Sequence, residues 1–426
     1  SRETVAGDPA TGEHNYVDGT CTGCGEKEVV EHEHAWGEGV VTTEPTCVDG
    51  VKTYTCTCGE TKTEPVAANK DHTYSNHVCS VCGKVAIAFN NGSNQLSLLL
   101  ESEVFINLRL KMDSMGGMTP EELVQYMGLS IFYTKTASSA DSTIETADAL
   151  TWEVTYEAAS GYYVFRSEGI PAKNMGDLRY LKAFVKLPNG EVTYSGRFTY
   201  SPLLYAKHVV GNNTYETKLQ ALCVSLMNYG AAAQVNFNYK TTELMNADFA
   251  DYQYMVNAYD ESMITPRVTV DKAVELDNSS NSYLTAVPDF SLTLVGAIDM
   301  NFVWKPSVTG TITKAGMLVW NRKTYEQIES LTVENVTETI TLTGSEISGS
   351  SFKTSFAGTP AKEMGDTVYV AAFYEIDGVT YYSGVFTRSI EYYADKVIGN
   401  TGYDENLWEA MKAMVVYGDY ARAYFA

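Results

Sequence analysis

The chain has 426 residues, room for roughly two to four domains, and its 44% hydrophobic and 12% aromatic content is ample core material for a folded protein. A net charge of −23, from 53 acidic and 30 basic residues, repels polyanions, and no basic stripe offsets it, which argues against nucleic-acid partners. No apolar run approaches the roughly 18 residues of a membrane span, so no transmembrane helix is expected.

The first 82 residues hold seven of the eight cysteines and five of the six histidines. Three phrases repeat there: "HNYVDGTCTGCG" (14–25), "HAWGEG…PTCVDGVKTYTCTCG" (34–59) and "HTYSNHVCSVCG" (72–83). Each opens on His-x-aromatic and closes on a cysteine pair followed by glycine. Two thiolates on a glycine-ended knuckle, completed by His or Cys from a neighbouring strand, form a tetrahedral Zn2+ site. The spacing suggests three sets: His14, Cys21, Cys24, His32; then His34, Cys47, Cys56, Cys58; then His72, His77, Cys79, Cys82. Disulfides are the rival reading, favoured if the chain is exported. Either staple is structural, because segments this short bury too little core to fold alone. No HExxH-type helix suggests a catalytic metal. Residues 1–85 are therefore read as a zinc-ribbon-like spacer.

Residues 86–240 form the next unit, lobe A. Alternation at Ile106, Leu108 and Leu110 predicts half-buried strands. "PNGE" (188–191) supplies a hairpin turn, and Leu219, Leu222, Cys223, Leu226 and Gly230 follow a helical stripe. Residues 241–285 read as a connector with a short helix, carrying Phe249, Tyr252, Tyr254 and Tyr259 toward a seam between lobes.

Lobe B, 286–426, repeats lobe A. "PAKNMGD" (171–177) returns as "PAKEMGD" (360–366), and "YSGRFTYSPLLYA" (194–206) as "YSGVFTRSIEYYA" (382–394). Val368, Val370 and Ala372 alternate, "IDGV" (376–379) is a turn, and Leu407, Met411, Met414, Val415 and Gly418 form a helical stripe. The expected fold is mainly β with C-terminal helices in each lobe (α+β), a β-sandwich plus helices present twice.

No GxSxG elbow, phosphate loop or kinase signature occurs. His208, the single histidine of the body, faces Lys396 at the matching place in lobe B and reads as a surface residue. Paired carboxylates of a glycoside hydrolase leave no spacing signature. A non-catalytic binding role fits better, since 30 Tyr and 5 Trp suit stacking platforms for sugars. Aromatics matched between lobes belong to the fold, whereas unmatched ones are candidates for a surface. Trp408 aligns with Gln220, Tyr381 with Thr193 and Tyr420 with Ala232. With Tyr252, Tyr254 and Trp304, the last on an inward strand phase, they form the candidate carbohydrate-binding set.

"PTCVDGVKTYTCTCGETKTEPVAANKDHTY" (45–74) resembles a module repeated in large cell-surface proteins of gut Firmicutes. The endings "YSGRFTYSPLLYA…LMNYGAAAQ" and "YSGVFTRSIEYYA…VVYGDYARAYF" look like a domain of secreted ruminococcal and clostridial proteins. Two such lobes in tandem resemble the second domain of starch adherence system proteins of ruminococcal amylosomes. The resemblance implies a secreted or cell-surface protein, not an enzyme, that holds starch, amylose, amylopectin or maltooligosaccharides in a groove between lobes. A structural or protein-interaction module without glycan binding is the alternative.

Overall fold

The computed structural model describes residues 14–27, 33–69, 71–100, 104–133, 154–265, 272–277, 287–294, 298–307, 310–348, 351–357 and 359–426. They form two compact units, residues 1–86 and 87–426. Among the described residues no helix is long and apolar enough to cross a membrane.

The first unit consists of short antiparallel hairpins. β1 (Tyr16–Val17) pairs with β2 (Thr20–Cys21); β3 (Val40–Thr43), β4 (Gly50–Thr55) and β5 (Thr61–Val66) form a three-stranded sheet; β6 (Tyr74–Ser75) pairs with β7 (Val78–Cys79). Asp18 and Gly19 (φ 48° and 73°) turn the first hairpin, and Asn76 and His77 (φ 48° and 63°) turn the last. Two consecutive left-handed residues give the turn whose twist matches paired strands. His77 thus stands where the first phrase has glycine.

In the second unit, lobe A has two four-stranded antiparallel sheets. One runs β11 (Val154–Glu157), β12 (Tyr162–Arg166), β9 (Val104–Met115), β8 (Ile87–Leu100). The other joins β10 (Met127–Phe132) to β13 (Arg179–Lys186), which also pairs β14 (Val192–Tyr194) and β15 (Phe198–Tyr200). Ile106, Leu108 and Leu110 of β9 are fully buried, as the period-two pattern requires. A helix from Pro202 to Val209 and a longer one from Thr217 to Asn236, here called α2 and α3 after the single turn α1 (Pro120–Leu123), close the lobe.

In lobe B one sheet runs β17 (Asp289–Thr293), β18 (Asp299–Trp304), β23 (Ser351–Phe356), β22 (Ile347–Ser348). The other runs β21 (Glu338–Thr343), β19 (Lys314–Trp320), β24 (Val368–Ile376), β25 (Val379–Tyr382), with β26 (Phe386–Arg388) also on β24. Two short strands, β16 (Ala273–Val274) and β20 (Ser330–Leu331), pair in parallel beside it. The single turn α4 (Arg322–Tyr325) precedes the closing helices α5 (Ile390–Val397) and α6 (Glu405–Tyr424). Ser201 and Ser389 cap α2 and α5 in the same way, each accepting the third backbone N–H of its helix.

The recurrent PAK(N/E)MGD phrase has a packing reason. Each copy is a 3-10 turn, Ala172–Asn174 or Ala361–Glu363, that fits against the small-residue face of the lobe's long helix. A methyl group on Gly230 would meet Met245 Sδ at 2.3 Å and Ala172 O at 3.1 Å, and one on Gly418 would meet Met364 Sδ at 3.1 Å and Ala361 O at 3.2 Å. Glycine in the helix lets the turn approach closely. Between the lobes, the expected helix is instead a 3-10 segment, Ala247–Met255, anchored by the fully buried Phe249 and bent there. Asp, Asn and aromatic residues at irregular spacing do not sustain an α-helical stripe.

Candidate metal centres and candidate binding surfaces

Each cysteine pair of the first unit sits on a tight knuckle. Cys21 and Gly25, Cys56 and Gly59, and Cys79 and Gly83 close it with N–H···O bonds of 2.8–3.0 Å from the glycine back to the first cysteine. The three glycines have φ of 78°, 93° and 73°, which a side chain would strain. Histidine Nδ1 faces the outer thiol in each case: His14 to Cys24 at 3.3 Å, His34 to Cys58 at 3.5 Å and His72 to Cys82 at 3.4 Å. The aromatic two residues on packs beside that imidazole, Tyr16 at 5.8 Å, Trp36 at 5.0 Å and Tyr74 at 5.6 Å between ring centroids. This accounts for the His-x-aromatic phrase: the ring restrains the imidazole.

Three groups can hold a metal ion, with ligand atoms all within 4.8 Å of one another: His14, Cys21, Cys24; His34, Cys56, Cys58; and Cys47, His72, Cys79, Cys82. The partition differs from the spacing-based one in two ways. Cys47 belongs to the third group, not the second, and lies 3.6 Å from Cys79, Sγ to Sγ. The segment leading to His72 is tied to the Cys47 loop by Asn69 N–H to Thr46 O (2.9 Å) and Ala68 N–H to Asp49 Oδ1 (2.9 Å), which places Cys47 at the next knuckle. His77 is exposed in the hairpin turn and is not a ligand of that group. His32 lies outside the described residues.

The thiol chemistry suits a cation. The backbone N–H groups of Cys24 and Gly23, with His14, bring Cys21 down to about 6. Those of Cys82 and Val81, with His72, bring Cys79 down to about 5. Cys47 is instead pushed up to about 11, by desolvation and then by the neighbouring Cys82 and Cys79. Three crowded thiols cannot all ionise without a positive partner, and a metal ion supplies one. Two carboxylates overlooked in the sequence complete the picture. Glu26 and Glu60, each following the knuckle glycine, lie 3.6 and 3.4 Å from Nε2 of His14 and His34. A carboxylate on the far nitrogen would favour the imidazole with Nδ1 turned toward a metal ion held by the group.

The aromatic candidates of the second unit divide by burial. Trp304 is 1% exposed and donates to Thr354 Oγ1 at 3.0 Å, so it is core and offers no face to a ligand. Trp408 is half-buried, and its indole N–H donates to Asn400 O at 3.1 Å. Gln220, its counterpart, donates through Nε2 to Asn212 O at 3.2 Å. Tryptophan and glutamine thus fill one structural role, tying the long helix to the loop before it, and Trp408 is not a surplus aromatic. The Tyr420 hydroxyl accepts from Asn257 N (2.9 Å) and donates to Met255 O (3.1 Å), clasping the connector. Tyr381 lies on Tyr374, centroids 5.5 Å apart and planes 19° apart, half-buried at the sheet edge. Tyr252 is also half-buried, under Gly211. Only Tyr254 of the set stands well out, at 79% exposure.

A groove of about 550 Å³ runs where α3, the connector and α6 meet. Its lining combines Asn228, Gln253, Asn257, Glu409 and Lys412 with one ring, Tyr259. Asn228 and Gln253 exchange amide hydrogen bonds at 2.9 and 3.1 Å, and Lys412 donates to Glu409 at 2.6 Å. Apart from Tyr259, nothing in the sequence marked these positions, because exposed polar residues carry no periodic signal. The sequence matches no protein-family model, and no curated protein aligns with it.

Proposed function

We propose that this chain is a non-catalytic, extracellular glycan-binding protein whose second unit holds starch-type α-1,4-glucan, with a zinc-stapled spacer as its first unit. The observation that carries the glycan reading is the mixed groove between the lobes, where amides, a carboxylate and an ammonium share the lining with one tyrosine ring and the apolar Ala232, Val256, Ala258, Ala413 and Val416. Sugars ask for that mixture: a ring face for their C–H groups and fixed donors and acceptors for their hydroxyls. The amide pair and the Lys412–Glu409 pair already hold one another, which lowers the ordering cost of binding. Starch is chosen among glycans on the resemblance of the two lobes to starch adherence proteins. Zinc is chosen among metals because cysteine-rich sets completed by histidine suit its tetrahedral preference.

Depletion of the chain from solution by granular starch, cellulose, xylan and mucin tests the reading. Selective depletion by starch supports it, with no new reducing ends released from soluble starch. No depletion by any polysaccharide would overturn it in favour of a surface-interaction module, and release of reducing ends would make the protein a hydrolase.

A further inference from the structure

Lobe A carries a second concavity, of about 860 Å³, on the side where its PAKNMGD turn meets the end of α3. We propose that it is a separate binding pocket for a neutral sugar ring, an inference that rests on the glycan-binding reading. Two acids and two bases line it: Glu168, Asp177, Arg179 and Lys240. Their charges balance, so the pocket favours an uncharged ligand rich in hydroxyls over an anion.

The groups are held in place. Asp177 accepts from Tyr239 Oη at 2.6 Å, Lys240 Nζ at 2.6 Å and Asn174 Nδ2 at 2.8 Å. Tyr133 donates to Glu168, and the Arg179 guanidinium lies 5.7 Å from the Tyr133 ring centroid. Arg179 is 3% exposed, and its Nε–H has no acceptor among the described residues. The same guanidinium donates through Nη1 to Asn174 O at 3.3 Å and Asp177 O at 3.1 Å, and a buried donor left unmatched costs stability until a ligand or water completes it. Tyr133 keeps 44% of its surface exposed. Tyr239 stands between two left-handed non-glycine residues, Asn238 and Lys240, both at φ 47°. Strain of that kind is retained where the surrounding structure needs a side chain in one position.

Lobe B supplies the control. At the places of Tyr133, Glu168 and Arg179 it has Asn321, Ala357 and Val368. Asp366 there pairs with Arg322 Nη1 at 2.9 Å instead. The shared fold therefore forms without Tyr133, Glu168 and Arg179, so these three side chains are not demanded by it.

Titration of the full chain with maltotriose, by calorimetry and ligand-detected NMR, tests this. Wild-type protein is expected to show two binding events, and Tyr133→Ala to lose one while keeping its melting temperature. Tyr239→Phe, which retains the ring, weakens the same event roughly 2- to 10-fold, and Tyr259→Ala weakens the other to a similar extent. Unchanged binding by Tyr133→Ala and Tyr239→Phe overturns the pocket and leaves the inter-lobe groove standing. Stronger displacement by glucuronate than by glucose overturns the neutral assignment. No binding by the wild type overturns both.

Discussion

The rings of Tyr229 and Tyr417 stack at 5.9 Å with 11° between their planes, one from each long helix. Both are almost fully buried, and through them the helices that close the two lobes share one core. Tyr417→Ala should cost about 3–5 kcal/mol, the range for losing a buried ring. It should also split chemical unfolding of the second unit into two transitions. A single transition with unchanged midpoint would show that the contact does not couple the lobes.

The two helix glycines differ in how much room they leave. Alanine normally gains about 1 kcal/mol over glycine in a helix. At Gly418 the new methyl meets its neighbours at 3.1–3.2 Å, so the gain and the crowding nearly cancel. At Gly230 it meets Met245 Sδ at 2.3 Å, and Gly230→Ala should destabilise by about 1–3 kcal/mol. Thermal melting of the two variants side by side decides it.

Asp177 gives a pH signature. Burial alone would push its carboxyl up, but hydrogen bonds from Lys240, Tyr239 and Asn174 outweigh that and hold it below the usual value of 3.8. A depressed carboxylate stabilises the fold above its unfolded pKa and loses that contribution as pH falls through its folded pKa. Asp177→Asn should therefore cost about 1–3 kcal/mol at pH 7. As pH falls through that depressed folded pKa the two proteins should converge, since the wild-type residue is then protonated too. A parallel offset at every pH would show that the charge does not matter.

Native mass spectrometry should find three metal ions per chain, one for each ligand group. Cys47→Ser should lose the ion of the third group and His77→Ala none, whereas spacing alone placed Cys47 in the second set and made His77 a ligand of the third. Chelation should unfold the first unit and leave the melting of the second where it was.

Trp408→Ala separates support from recognition. Its ring is half-buried and its N–H is bonded to the backbone, so the expected effect is on stability, about 2–3 kcal/mol, below the range for a fully buried ring. Starch binding should change little. Tyr259→Ala in the groove should do the reverse, weakening binding roughly 2- to 10-fold.

Local periodicity carried much of the architecture. The alternation at Ile106, Leu108 and Leu110, the hairpin turns, the stripe from Leu219 to Gly230 and the glycine-ended knuckles each depend on neighbours a few residues apart, and the sequence alone determined them. Which knuckle Cys47 joins depended on a loop meeting a segment about twenty residues later, through Asn69 and Ala68. Spacing cannot encode such a meeting. The shared role of Trp408 and Gln220 was hidden for the same reason: they look unrelated as letters, yet each donates an N–H to the carbonyl of the aligned asparagine, Asn400 or Asn212, in the loop before its helix. The groove at Asn228, Gln253 and Lys412 and the pocket around Arg179 bring together residues far apart in the chain. Only tertiary packing decides where such polar groups converge, because burial and hydrogen-bond satisfaction are properties of the assembled core.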